Sequence, residues 1–150
     1  MEIRRAKPDD AIGIAKIERE CFSDAWSEKD IFSYVCSEDG IAFTALEDGE
    51  PIAYVIGRMI APEGEIYRVA VTPRHRRRGV GYRLLSFALK SERGRGLETT
   101  FLEVRSKNEA AIALYREYGF RECGKRKNYY HNPDDDAVLM VLGLMNEFDN

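Results

Sequence analysis

Long apolar runs are missing from this 150-residue chain. The longest near-continuous one, Ala137 to Met145, falls well short of the ~20 residues a membrane-crossing helix needs. The opening segment, Met1 to Asp10, carries charges with no apolar stretch behind them, so it does not read as a secretory signal. Cysteine is scarce. Cys21, Cys36 and Cys123 form no close pair, which excludes the spacings of zinc sites, of redox motifs and of a disulfide scaffold. Three reduced thiols in a cytoplasmic protein are the expectation. Repeats, low-complexity tracts and linker-like stretches are also missing, so one domain over residues 1–150 is expected. The net charge of −3 offers no general attraction to nucleic acid, and membrane and fibrous classes are excluded.

What is present is a composition suited to a packed core, 44% hydrophobic and 33% charged. Local signals divide it into elements. Glu2 to Ala6 reads as a short strand, and Pro8 with Asp9 and Asp10 opens a helix running to about Cys21. Ser27, three residues before Asp30, caps a second helix toward Val35. Ile41 to Leu46 and Ile52 to Met59 flank Asp48-Gly49, a hairpin signal. Glu65 to Val71 is a strand, Gly79 to Arg93 a helix with one apolar stripe, Thr99 to Arg105 a strand, and Asn108 to Tyr118 a helix stopped by Gly119. Phe120 to Lys125 and Ala137 to Leu144 read as closing strands joined by a polar loop from His131 to Asp136. The order predicts an α/β (α+β) domain, a mixed sheet with helices on its faces.

One stretch breaks the even spread of charge. Arg74-His-Arg-Arg-Arg78 packs four arginines into five residues of an otherwise acidic chain. Arg76-Arg-Arg-Gly79-Val-Gly81 then lies between a strand and a helix, where backbone amides and the helix N-terminus suit an anion. The dinucleotide and P-loop patterns fail, because no third glycine and no Gly-Lys-Ser/Thr follow. A solvated basic turn and a nucleic-acid patch remain as alternative readings of the arginines alone.

The strand Val69-Ala-Val71, Thr-Pro, Arg-x-x-Gly-x-Gly and an amphipathic helix together resemble the acetyl-CoA signature of the GNAT N-acetyltransferase superfamily. The resemblance implies a mostly antiparallel sheet with one splayed strand pair. It implies acetyl-CoA as cosubstrate and no metal. Val69, Ala70 and Val71 would lie along the pantetheine arm. Arg76, Arg77, Arg78, Gly79, Val80, Gly81 and Tyr82 would cradle the pyrophosphate.

A second constellation follows. Alternation puts Phe101, Glu103 and Arg105 on one face of their strand and Leu102 and Val104 on the other. A carboxylate in mid-strand is unusual. Glu103 is either a partly solvated partner of an arginine or a general base. Asn108 and Tyr115, seven residues apart, share a helix side; Asn108 is also a natural N-cap and Tyr115 a core-edge aromatic. Amide formation needs this equipment. An N-terminal amine of pKa ~8 is mostly protonated at neutral pH and must lose a proton before attacking a thioester. Glu103, directly or through water, can take that proton. A tyrosine hydroxyl can return one to the leaving thiolate, and no covalent intermediate on the enzyme is needed.

Leu102-Glu-Val-Arg-Ser-Lys-Asn-Glu-Ala-Ala-Ile-Ala-Leu-Tyr115, with Gly119-Phe120, Lys127-Asn-Tyr-Tyr130 and Trp26-Ser-Glu28, resembles one group within that superfamily, the bacterial ribosomal-protein alanine N-acetyltransferases of the RimI type. The likeness implies Glu103 as base, Tyr115 as acid, Asn108 as a CoA contact and the N-terminal peptide of a small-subunit ribosomal protein as partner. Tyr129 and Tyr130 in a late loop, with Trp26 and Phe32 near the second helix, suggest an open, aromatic peptide groove. Two other functions fit less well: acetylation of a small-molecule amine, and a non-enzymatic module that senses acyl-CoA or contacts RNA.

Overall fold

The computed structural model describes residues 1–143. Seven strands and four α-helices alternate along it: β1 (Glu2–Arg5), α1 (Ala11–Cys21), α2 (Glu28–Cys36), β2 (Gly40–Glu47), β3 (Glu50–Ile60), β4 (Glu63–Val71), α3 (Val80–Arg93), β5 (Thr99–Arg105), α4 (Glu109–Tyr118), β6 (Arg121–Tyr130) and β7 (Asp135–Gly143). They form one sheet in the order β1-β2-β3-β4-β5-β7-β6. Every neighbouring pair is antiparallel except β4 with β5. This is the mixed, mostly antiparallel sheet expected.

The local signals act where they were read. The Ser27 hydroxyl accepts the Asp30 amide at 3.1 Å and starts α2. Asp48 and Gly49 both take positive φ, 53° and 80°, and close the β2–β3 hairpin. Gly119, at φ 125°, ends α4. The apolar periods then sort the side chains to the two faces of the sheet. Leu84, Leu85 and Leu89 of α3 pack with Phe43, Val55 and Leu102 on one face. Ile14 and Ile17 of α1 and Ile31 of α2 pack with Tyr54, Ile56 and Ala70 on the other. Each such side chain removed from water contributes about 1.5–3 kcal/mol. No helix among the described residues is long and apolar enough to cross a membrane.

Two elements differ from the expectation. β6 runs to Tyr130 and β7 starts at Asp135, so Tyr129 and Tyr130 end a strand rather than sit in a loop. Its run Arg121 to Asn128 is polar because β6 is an edge strand exposed along most of its length, and its pairing with β7 overrides the weak strand propensity. The expected end of the last strand, Leu144, lies outside the described residues.

Of the register shifts in the sheet, the one between β3 and β4 bears on the site. Ile56 pairs with Arg68 but the next residue, Gly57, pairs with Ile66, so Tyr67 is an extra residue in β4. Gly57 permits this crossing. A Cβ there would stand 2.1 Å from the Glu65 carbonyl oxygen, a backbone atom that cannot rotate away. Gly57→Ala is therefore expected to destabilise the protein by about 1–3 kcal/mol, the usual range for overpacking. Urea unfolding measures it; an unchanged midpoint would mean that the bulge relaxes freely.

Candidate active site

A bulge bends and twists the strand that carries it, and here it sits where β4 leaves its neighbour. Parallel pairing with β5 runs from Glu63↔Thr99 to Ile66↔Leu102 and stops. Beyond that point Tyr67–Val71 and Glu103–Arg105 diverge without pairing, and a gap opens through the sheet. The Thr72 amide donates to the Ile52 carbonyl at 2.9 Å. Backbone direction alternates along a strand, so Ala70 also faces β3 while the amides and carbonyls of Val69 and Val71 face the gap. Their side chains meanwhile pack against the core of the α3 face.

The arginine loop borders this gap. Gly79, at φ 75°, is the N-cap of α3 and has no side chain to cap it. The amides at the start of α3, Val80, Gly81 and Tyr82, therefore have no intrahelical acceptor and point outward with the positive helix end. Arg77 and Arg78 are exposed beside them. Arg76 is placed differently from its neighbours. Its Nε donates to the Val71 carbonyl at 3.0 Å and its Nη2 to Cys21 Sγ at 3.3 Å, so its side chain closes the end of the gap. Gly81 also serves packing, since a Cβ there would meet Leu114 Cδ2 at 3.3 Å and Val71 Cγ2 at 3.6 Å. Tyr82 is partly exposed and packs on Tyr118, with ring centres 5.4 Å apart and planes tilted by 57°. The Asn108 side chain accepts the Ala111 amide at 3.2 Å, which makes it the N-cap of α4.

On the opposite face β4 and β5 floor a groove of about 550 Å³. Glu65, Tyr67, Phe101, Glu103 and Arg126 line it. The Glu103 side chain is 25% exposed and lies 3.5 Å from Arg126 Nε, so the arginine partnership expected as one alternative is present. A hydrogen bond to Glu103, and then its charge, raise the Tyr129 phenol above the ordinary tyrosine range. Burial raises the Glu65 carboxyl, and the like charge of Glu103 adds to it. Tyr130 is pushed up to about 12, first by burial and then by the Glu103 charge.

Tyr115 belongs to the core of the α3 face. It is 4% exposed, packs at 5.6 Å on Phe120, and its hydroxyl has no hydrogen-bond partner among the described residues. Burial, with Tyr130 adding to it, raises its phenol well above the ordinary tyrosine range, so it keeps its proton at every physiological pH.

Trp26 is half-buried against Tyr34 and Tyr67, with ring centres 5.1 and 6.4 Å away. Phe32 stands on the solvent side of α2, 48% exposed, and does not line the groove. Glu65, Tyr67 and Arg126 were not singled out from sequence. A glycine in mid-strand, Gly57, was the one local sign of the bulge that places the first two.

A family model described as the acetyltransferase (GNAT) family matches residues 11–120. The [ribosomal protein bS18]-alanine N-acetyltransferase of Escherichia coli (strain K12) is 37% identical over 130 residues, covering 85% of this chain and 87% of that protein. The N-alpha-acetyltransferase RimI of Mycobacterium tuberculosis is 34% identical over 137 residues, covering 87% of this chain and 85% of that one. The crystal structure of the ribosomal-protein-S18-alanine N-acetyltransferase from Escherichia coli superposes with a TM-score of 0.87 at 33% identity, over 95% of this chain and 93% of that chain.

Proposed function

Because the chain belongs to the acetyltransferase (GNAT) family and is an acetyl-CoA-dependent N-acetyltransferase, we propose that its acceptor is the N-terminal amine of a protein, an alanine-starting small-subunit ribosomal protein. The observation that carries this reading is the gap between β4 and β5. It joins an anion-suited loop on one side to a long, open groove holding a carboxylate on the other.

The cradle residues fit the cosubstrate. The free amides of Val80, Gly81 and Tyr82 and the charges of Arg77 and Arg78 suit a pyrophosphate, and the Val69 and Val71 backbones suit an amide-bearing arm. Acetyl-CoA supplies an acetyl group activated as a thioester. Glu103, directly or through one water, takes a proton from the acceptor ammonium. The freed nitrogen attacks the carbonyl carbon directly, and backbone amides at the gap edge stabilise the negative charge that develops on the oxygen. Tyr115 gives its proton to the departing sulfur as the carbon–sulfur bond breaks. The nitrogen's surplus proton restores the tyrosine, and Glu103 returns its own to solvent. Arg126 holds the Glu103 carboxylate in place between turnovers.

The groove runs over an open sheet face past Phe101, room that a small amine does not need. The test is a thiol-release assay with acetyl-CoA and short peptides that differ only in the first residue. Alanine-starting peptides are expected to exceed small-molecule amines in kcat/KM by at least tenfold. Preference for a free amine would overturn the peptide acceptor, and tight CoA binding without any turnover would overturn the acetyl-transfer role of the site.

A further inference from the structure

The bulge at Tyr67 has an effect on the next residue. In a regular strand Arg68 would share the core face with Ile66; the extra residue turns Tyr67 and Arg68 to the same side, over the groove and α1. There the Arg68 guanidinium is gripped from four directions. Its carbon lies 4.1 Å from the Phe22 ring centre and 4.3 Å from that of Trp26. One nitrogen is bonded to Glu18 and the other lies 3.2 Å from Asp24. Glu18 is wholly buried, and it also accepts the Trp26 amide at 2.9 Å and the Tyr54 hydroxyl. Every one of these contacts but Tyr54 lies at the end of α1 or in the connection from α1 to α2. That connection has no strand or helix of its own to order it. Trp26 in turn meets Tyr67, which lines the groove.

We infer that Arg68 is a positioning residue for the acceptor, holding the α1–α2 connection so that Trp26 backs Tyr67 of the groove lining, and thereby setting affinity for the peptide without touching the reacting atoms. The inference rests on the peptide acceptor proposed above. A buried pair of opposite charges gives little net stability over an apolar pair of the same shape, so stability alone does not account for it. Its planar fork reaches two carboxylates while its faces stack on two rings. A lysine ammonium cannot do both.

The test uses Arg68→Lys and, because removing one charge leaves Glu18 uncompensated, the double variant Arg68→Met with Glu18→Gln. Thermal melts establish that each is folded, and the double variant is read if the single one is not. Steady-state kinetics with an alanine-starting peptide are combined with acrylamide quenching of Trp26, the single tryptophan of the chain. The expected result is a peptide KM raised at least tenfold, kcat within threefold, an unchanged KM for acetyl-CoA and a tryptophan more open to quenching. A more quenchable tryptophan with an unchanged peptide KM would show that the connection does not act on the acceptor, and would overturn the inference. So would a large fall in kcat at unchanged KM, or no change in either readout. A wild-type protein that acetylates small amines and no peptide overturns the acceptor and this role together. Wild-type turnover of peptides with unaltered variants overturns this role alone.

Discussion

Glu103→Gln is expected to slow acetyl transfer by ~10²–10⁴-fold, the span that general base catalysis commonly contributes. Glutamine keeps the shape of the side chain and can still face Arg126, but it cannot take a proton from an ammonium. The two readings of Glu103 separate on this variant. A partly exposed ion pair with one arginine, 3.5 Å away, contributes at most about 1 kcal/mol, so as a structural partner its loss would leave turnover intact. As the base, its loss strikes the rate and leaves acetyl-CoA affinity and the melting temperature nearly unchanged. Stopped-assay rates and calorimetric titration with acetyl-CoA read both. Glu65 on the same groove floor is the natural control. If the single variant keeps the wild-type rate and a Glu65→Gln, Glu103→Gln protein does too, carboxylate base catalysis is absent from this enzyme.

Tyr115→Phe removes one oxygen and is expected to cost a comparable factor in kcat with both Michaelis constants almost unmoved, the mark of an interaction made only in the transition state. The burial of the residue sharpens the test. Tyr115 is 4% exposed, and phenylalanine keeps the ring that packs on Phe120. The variant should therefore fold while turnover collapses. An ordinary core aromatic would give a folded enzyme with normal turnover, and that result would remove the acid from the scheme. A raised KM for acetyl-CoA at unchanged kcat would make the hydroxyl a binding contact. The departing sulfur would then take its proton from water.

Much of this molecule was legible in order of residues alone because its signals are local. Ser27 to Asp30 is one turn of helix, Asp48-Gly49 is one turn of chain, and the alternation of Phe101 to Arg105 needs only a strand. Each of these depends on neighbours a few residues away, and each formed as expected. The pairing of an Arg-x-x-Gly-x-Gly loop with the segment from Leu102 to Tyr115 likewise named the family, since both are contiguous stretches.

Partners distant in the chain decided the rest. Alternation assigns Arg68 to the wrong face, because the bulge that turns it arises from a backbone crossing at Gly57 on another strand. Nothing local puts the Arg76 guanidinium on the Val71 carbonyl and on Cys21, 55 residues away in sequence. The polar run of β6 carries little strand propensity of its own and becomes strand by pairing with β7. Tyr115 is buried only because α4 is pressed onto the sheet. Sequence by itself determined most of the elements, the family and the chemical types at the site. Only tertiary structure decided which of those side chains meet, because a contact between distant residues depends on a register and a bulge that neither residue encodes alone.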